Sequence, residues 1–168
     1  MAKITKQPKL SIICPTLNEA NKLPLLIADI NACNNENPLH IIDGGSKDKT
    51  ILIAEIGGAI INKTHEANRG LQLHKGAIEA KGEWLLFLHA DSRLHPNWGD
   101  VIFELINKNH SKDYAWFFDF KIKGGHLGFK LLEKTVAIRS ILIQRPYGDQ
   151  GLLITKTLYK EVGGYSNL

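Results

Sequence analysis

The 168-residue sequence predicts an α/β fold, a mainly parallel, mixed sheet flanked by helices. Two observations lead there. The short runs "LSIICP", "HIID", "AIIN" and "EWLLFL" are apolar without strict alternation, as strands covered on both faces are. Segments with helical spacing separate them, and strand–helix alternation is the pattern of parallel strands joined by crossovers.

The elements follow in order. Leu10–Pro15 is β-branched, apolar and stopped by proline, which reads as a buried strand. The next segment passes from a loop into a helix, with Pro24 in its first turn and Leu26, Ile27 and Ile30 as its apolar stripe. Ile41 and Ile42 form a second strand ending at Asp43 and a Gly-Gly turn. Ser46 or Asp48 can cap the helix expected over Lys49–Ile56. "AIIN" is a third strand, "NRGLQLHKGAIEAKG" a helix with Gly82 as its stop, and "EWLLFL" a fourth strand. Pro96 opens a helix through about Asn107. In the second half, "YAWFFDFKIKG" alternates as a longer strand and "LGFKLLEKTVAIRSILIQ" reads as a helix. "GLLIT" is a strand, and "LYKEVGG" a short helix stopped by glycine. Repeats, low-complexity segments and linkers are not evident, so residues 1–168 are expected to form one domain.

Composition narrows the function. Hydrophobic residues make up 43% and charged residues 23%, values of a globular protein with a sizeable core. The net charge of +4 suits an anionic ligand or an anionic membrane surface. Dense Lys/Arg runs with interleaved aromatics are lacking, so no nucleic-acid partner is expected. Cys14 and Cys33 lack metal-ligand spacing and are expected to be free buried thiols in a reducing compartment. "MAKITKQPKL" has no apolar core of a secretory signal, and no apolar run reaches the length of a membrane span. A cytoplasmic location is expected, with peripheral contact to the inner membrane left open.

In open α/β sheets, ligands bind outside the carboxyl ends of the strands. Polar residues gather at those ends: Pro15, Thr16, Asn18 and Glu19 after the first strand, Asp43, Gly44, Gly45 and Ser46 after the second, His89 and Asp91 after the fourth. Each alone is an ordinary cap or turn residue; their recurrence at three strand ends points to a site. His89 and Asp91 form the sharpest pair, because alternate residues of a strand point to the same side. An imidazole nitrogen and a carboxylate oxygen can hold Mn²⁺ or Mg²⁺ and leave positions open for phosphate oxygens. The competing reading makes Asp91 a turn cap and His89 a satisfied imidazole. "DGGSKDKT" is neither a Walker loop nor GxGxxG. Arg69, Gln72 and Gly76 share one helical stripe, and Arg69 near a helix N-terminus could meet a diphosphate or be a solvated arginine. Arg139 falls on the apolar side of its helix, where it could snorkel or point to an anionic ligand. The apolar surface of that helix could touch a membrane or a second subunit, as in a homo-oligomer.

Taken together, "SIICPTLNEANKLP", "IIDGGSKDKT", "NRGLQLHKGA", "GEWLLFLHADSRLHP" and "YGDQGLLITKTLYKEVGGY" resemble the inverting family 2 glycosyltransferases of the GT-A fold, the nucleotide-diphospho-sugar transferase-like architecture. More narrowly they resemble the bacterial subgroup associated with radical-SAM and selenodomain gene neighbourhoods. The resemblance implies transfer of a sugar from a nucleotide-sugar donor, commonly UDP-linked, to an unknown acceptor. It implies that Pro15–Glu19 line the nucleoside pocket, that Asp43 contacts the base and that Arg69 lies near the diphosphate or the nucleoside. Gly44, Ser46, Gln72 and Asp91 complete the expected nucleotide-binding set. The family's metal-binding D-x-D corresponds to His89-Ala90-Asp91, so His89 and Asp91 are the expected cation ligands.

The family's catalytic base is an acid shortly after the "GGY" turn, and this sequence stops at Leu168. The expectation is therefore a domain lacking the family's C-terminal segment, a fragment or a truncated gene product. Asp149 is the remaining candidate acid, expected more as an acceptor contact or turn residue than as a base. A catalytically deficient nucleotide-binding or interaction module is the alternative. A nucleotidyltransferase is disfavoured because no Gly-rich basic loop follows the first strand.

Overall fold

The computed structural model of the protein describes residues 9–33, 37–108, 110–118 and 151–165. Its first half alternates strictly: β1 (Leu10–Thr16), α1 (Leu23–Asn31), β2 (Leu39–Asp43), α2 (Thr50–Ile56), β3 (Ile60–Lys63), α3 (Arg69–Glu79), β4 (Trp84–Phe87) and α4 (Trp98–Ile106). A 3₁₀ turn (Ser111–Asp113), β5 (Trp116–Phe117), β6 (Leu152–Thr155) and α5 (Lys156–Glu161) follow. The six strands form one sheet in the order β3-β2-β1-β4-β6-β5. The first four are parallel; β6 runs antiparallel to both β4 and β5, so the sheet is mixed, as expected.

Every residue of β1, β2 and β4 is buried, which explains why these strands read as unbroken apolar runs. Alternate residues serve two cores. Ile12, Cys14, Ile41, Trp84 and Leu86 pack with Leu23, Leu26, Ile30, Ala54 and Ile102 of α1, α2 and α4. Ile13, Ile42, Leu85 and Phe87 pack with Leu73 and Ala77 of α3 and with Tyr159 of α5. A Cβ on Gly76 would lie 2.5 Å from Ile13 Cγ2, so the missing side chain is what lets α3 sit close on the sheet. Pro15 is tolerated inside β1 because the pairing of β1 with β4 has already ended at Ile13–Phe87.

Several sequence expectations shift. Gly82 does not stop α3: the helix ends at Glu79, and Ala80 is already extended. A Cβ on Gly82 would meet the Ser11 backbone nitrogen at 2.6 Å, so this glycine answers to the approach of β1. The fourth strand ends at Phe87, because the β6 ladder ends there while Leu88 N–H still donates to Ile13 O. The helix after Pro96 begins at Trp98. Both cysteines are free; Cys14 is buried and Cys33 only half-buried. Of the longer strand expected over 114–124, Trp116 and Phe117 form β5. Residues 119–124, the helix expected over 127–144 and Arg139 lie outside the described residues. Among the described residues, no helix is long and apolar enough to cross a membrane.

His40 on β2 is 4% exposed, and among the described residues neither ring nitrogen has a hydrogen-bond partner. Burial, reinforced by the Lys156 ammonium, holds its imidazole below the ordinary 6.5. On acidification the unfolded chain therefore takes up this proton first. The stability tied to neutral His40 is complete above pH 6.5 and is lost as pH falls below it. Urea unfolding at about pH 7.5 and about pH 5.5 should show wild type losing about 1 kcal/mol more than His40→Leu. Equal losses in the two proteins would remove His40 as the source.

Candidate functional site

The site is built at the carboxyl edge of the parallel strands. Asp43, the last residue of β2, is fully buried. Its Oδ1 accepts from Thr16 Oγ1 at 3.1 Å and from Ser46 Oγ at 2.5 Å; its Oδ2 accepts from Gly45 N at 2.9 Å and Ser46 N at 2.8 Å. These donors compensate the buried charge and fix the Gly-Gly turn, whose Gly45 has a φ of +100°. Asp43 is thus engaged by protein donors and closed to solvent. Its position fastens β2 to β1. Gln72 serves the same junction. It is buried on α3, and its Nε2 donates to Thr16 O at 2.9 Å and Ile42 O at 2.6 Å, joining the ends of β1 and β2. Gly44 N–H donates to Thr16 O at 2.9 Å, and a Cβ there would crowd Ala67 Cα at 3.1 Å.

The loop after β1 is tied to the loop after β2. Asn18 has a φ of +56°, a conformation asparagine tolerates. Its N–H donates to Ser46 Oγ and its Oδ1 accepts from Lys47 N, both at 2.8 Å. Glu19 N–H donates to Thr50 Oγ1 at 2.8 Å, and Ala20 N–H to Asp48 Oδ2 at 3.1 Å. Asp48 also accepts from Thr50 N, and the Thr50 hydroxyl leads the interactions that hold its carboxyl below the usual range. Of the two expected caps of α2, Asp48 therefore serves the helix start, while Ser46 bridges Asp43 and Asn18.

His89 and Asp91 do meet, through the contact of His89 Nδ1 with Asp91 Oδ1. The reason differs from the one read in the sequence. β4 has already ended, and a turn makes the pair: Ser92 N–H donates to His89 O at 3.0 Å and His89 N–H to Ser92 Oγ at 3.1 Å. The Asp91 side chain remains 49% exposed. Lys22 stands beside it, with Nζ 3.4 Å from Glu19 Oε2 and 3.9 Å from Asp91 Oδ2. The turn is held down by residues that sequence reading missed. Arg93 donates to Asp29 of α1 through Nε (2.7 Å) and Nη2 (2.9 Å), Leu94 N–H adds a bond to Asp29 Oδ2, and Trp98 Nε1 donates to Asp29 O. A separation of 64 residues leaves no local signal for that clamp.

Charge reports the same convergence. The buried Cys14 thiol near the end of β1 is pushed up by burial first, then by the carboxylates of Glu19 and Asp91, with Arg69 opposing. Arg69 is exposed at the first turn of α3, where Asn68 accepts from Leu71 N as the N-cap. It also acts electrostatically on Tyr165 of the Gly-Gly-Tyr turn. The expected residues therefore divide. Thr16, Asp43, Ser46 and Gln72 hold the scaffold, with Pro15 buried in β1 and Gly44 in the close turn. Asn18, Glu19, Arg69, His89 and Asp91 stand at its solvent side. Asp149 lies outside the described residues.

Among the described residues, no group of three or more His, Cys, Asp or Glu side chains could hold a metal ion. The available set is the adjacent imidazole and carboxylate of His89 and Asp91. Two protein ligands fit a divalent cation whose other positions are filled by water and ligand phosphates.

The family model described as glycosyl transferase family 2 matches residues 11–154. An uncharacterized glycosyltransferase of Haemophilus influenzae is 24% identical over 166 residues, covering 94% of this chain and 56% of that protein. The chain thus spans about half the length of this curated relative. Among solved structures, S. aureus TarS 1-349 in complex with UDP aligns with a TM-score of 0.75 at 18% identity, covering 94% of this chain and 49% of that one. A mannosyltransferase from Pyrobaculum calidifontis in complex with GDP-Man and Mn²⁺ aligns with a TM-score of 0.75 at 16% identity, covering 97% and 49%. These structures share the α/β GT-A fold.

Asp43→Ala should be among the most damaging changes at this edge, since it strands the hydroxyl and amide donors of Thr16, Gly45 and Ser46. A loss of about 3 kcal/mol in urea unfolding is expected. A midpoint unchanged from wild type would show that the carboxylate does not fasten the strands.

Proposed function

The chain belongs to glycosyl transferase family 2, and from that membership we propose that it transfers a sugar, with inversion, from a nucleotide-sugar donor to an acceptor. The favoured donor is UDP-linked, and a divalent cation, Mn²⁺ or Mg²⁺, assists at His89 and Asp91. The observation that carries this reading is the contact of His89 with Asp91 beside the loop of Glu19, the carboxylates of Glu19 and Asp91 lying 3.4 and 3.9 Å from the Lys22 ammonium. Solved relatives of the same fold carry UDP in one case and GDP-Man with Mn²⁺ in another, which supports a nucleotide sugar and a cation here. The replacement of the first acid of D-x-D by His89 supports a place in the radical-SAM/selenodomain-associated subgroup.

When bound, the cation neutralises charge developing on the leaving diphosphate. The chain's own residues do the rest. Asp91 and His89 hold the cation's face of the site. The guanidinium of Arg69, at the positive end of α3, adds a fixed charge for the diphosphate. Asn18 and Glu19, on a loop pinned to Ser46 and Thr50, border the nucleoside side. The acceptor hydroxyl must lose a proton to a base. Asp149 is proposed as an acceptor contact rather than as that base.

Calorimetric titration with UDP tests the reading. Binding should require Mn²⁺ or Mg²⁺, and Asp91→Ala should weaken it by about tenfold or more, equivalent to about 1.4 kcal/mol. Affinity that is equal with and without the cation, and unchanged in Asp91→Ala, would overturn it.

A further inference from the structure

Lys22 is placed where a cation site would least tolerate another positive charge. It immediately precedes α1, and its ammonium lies between two carboxylates from different loops, 3.4 Å from Glu19 Oε2 and 3.9 Å from Asp91 Oδ2. Asp91 is thereby engaged on both oxygens, by the His89 imidazole on Oδ1 and by the Lys22 ammonium near Oδ2. The Lys22 side chain is 53% exposed, so it can swing into water without unpacking the core. It makes no capping hydrogen bond to α1; the helix start rests instead on Lys22 N–H and Leu23 N–H, which both donate to Glu19 O. The charge can therefore be changed while the local backbone bonds stay.

We infer that Lys22 is the resident counter-ion of the cation site: its ammonium holds Asp91 while no divalent cation is bound, and it must withdraw from Asp91 when one binds. This rests on the proposed reading of His89 and Asp91 as cation ligands. An ammonium a few ångströms from a divalent ion repels it, and Asp91 can satisfy only one of the two fully. Lys22 thus lowers affinity for the bare cation and keeps the two loops together in its absence. It is a positioning residue that acts through Asp91 and Glu19.

The test is titration of the full chain with Mn²⁺ alone, followed by loss of the free-ion electron paramagnetic resonance signal. Lys22→Met should bind Mn²⁺ roughly tenfold more tightly than wild type at low ionic strength, the scale of one unit charge near a divalent ion in a mostly aqueous setting. The gain should shrink as salt rises to about 0.5 M, which a purely structural role would not produce. Lys22→Arg, which keeps the charge, should stay within about twofold of wild type. Asp91→Asn should abolish tight binding, both in an otherwise wild-type chain and when combined with Lys22→Met. If Asp91→Asn does so while Lys22→Met binds no more tightly than wild type, the counter-ion role falls and the cation reading stands. If Asp91→Asn leaves Mn²⁺ binding unchanged, or wild type and Lys22→Met alike take up no Mn²⁺, both fall.

Discussion

A single buried carboxylate decides the shape of the functional edge. β1 and β2 run parallel, so both end at the same side, and their ladder carries through to Thr16 and Asp43. Asp43 locks this end by accepting from Thr16 at the end of β1 and from Gly45 and Ser46 in the turn after β2. A fully buried charge is costly unless donors surround it. Here the donors are the groups that most need fixing, so solvation of the charge and definition of the loop are one event. Gln72 adds the third side, with its amide reaching Thr16 O and Ile42 O from α3. Gly76, one turn further along that helix, makes its close approach feasible.

This arrangement separates residues that build the edge from residues that face outward. Thr16, Asp43, Ser46 and Gln72 point into the protein and have partners there. Because Asn18 and Glu19 hang from Ser46 and Thr50, the outward loop inherits the rigidity of the inner one. The turn carrying His89 and Asp91 is held separately, by the bidentate Arg93–Asp29 pair and by Trp98, which tie it to α1. Polar groups presented to a ligand keep their geometry only if a packed, hydrogen-bonded layer stands behind them. Two such layers, one behind each loop, are present here.

Much of this was legible in the chain, and the limits have physical causes. Buried parallel strands write themselves as apolar runs, and the polar residues after each run mark the functional edge; Asp43 closes β2 as expected, while Thr16 rather than Pro15 closes β1 and His89 lies beyond the end of β4. What the pattern does not carry is direction at the ends. Asp43 looks the same in sequence whether its carboxylate turns out toward a ligand or in toward Thr16. Gln72 looks the same whether it faces solvent or two backbone carbonyls. The His89–Asp91 contact was expected from strand geometry and is made by a turn, because the β6 ladder ends at Phe87. The Asp29–Arg93 clamp and the pairing of Lys22 with Asp91 span separations with no periodic signature. His40, by contrast, sits in an ordinary strand pattern, and only burial with both nitrogens unpartnered among the described residues distinguishes it.

The charge balance of the outward-facing groups bears on how such a site fills. Glu19 and Asp91 bring two negative charges, and Lys22 and Arg69 bring two positive ones, so the edge is close to neutral before any ligand arrives. A divalent cation alone, or a diphosphate alone, would leave a net charge of two concentrated near the end of β1. The two together restore balance. Reciprocal linkage then requires each to raise the affinity for the other by the same factor. Lys22 is suited to that exchange. It is close enough to Asp91 to stand in for the cation, and exposed enough to move aside when the cation comes. After that move it remains near Glu19, the closer of its two partners, without any rearrangement of β1, β2 or the Asp43 turn beneath them.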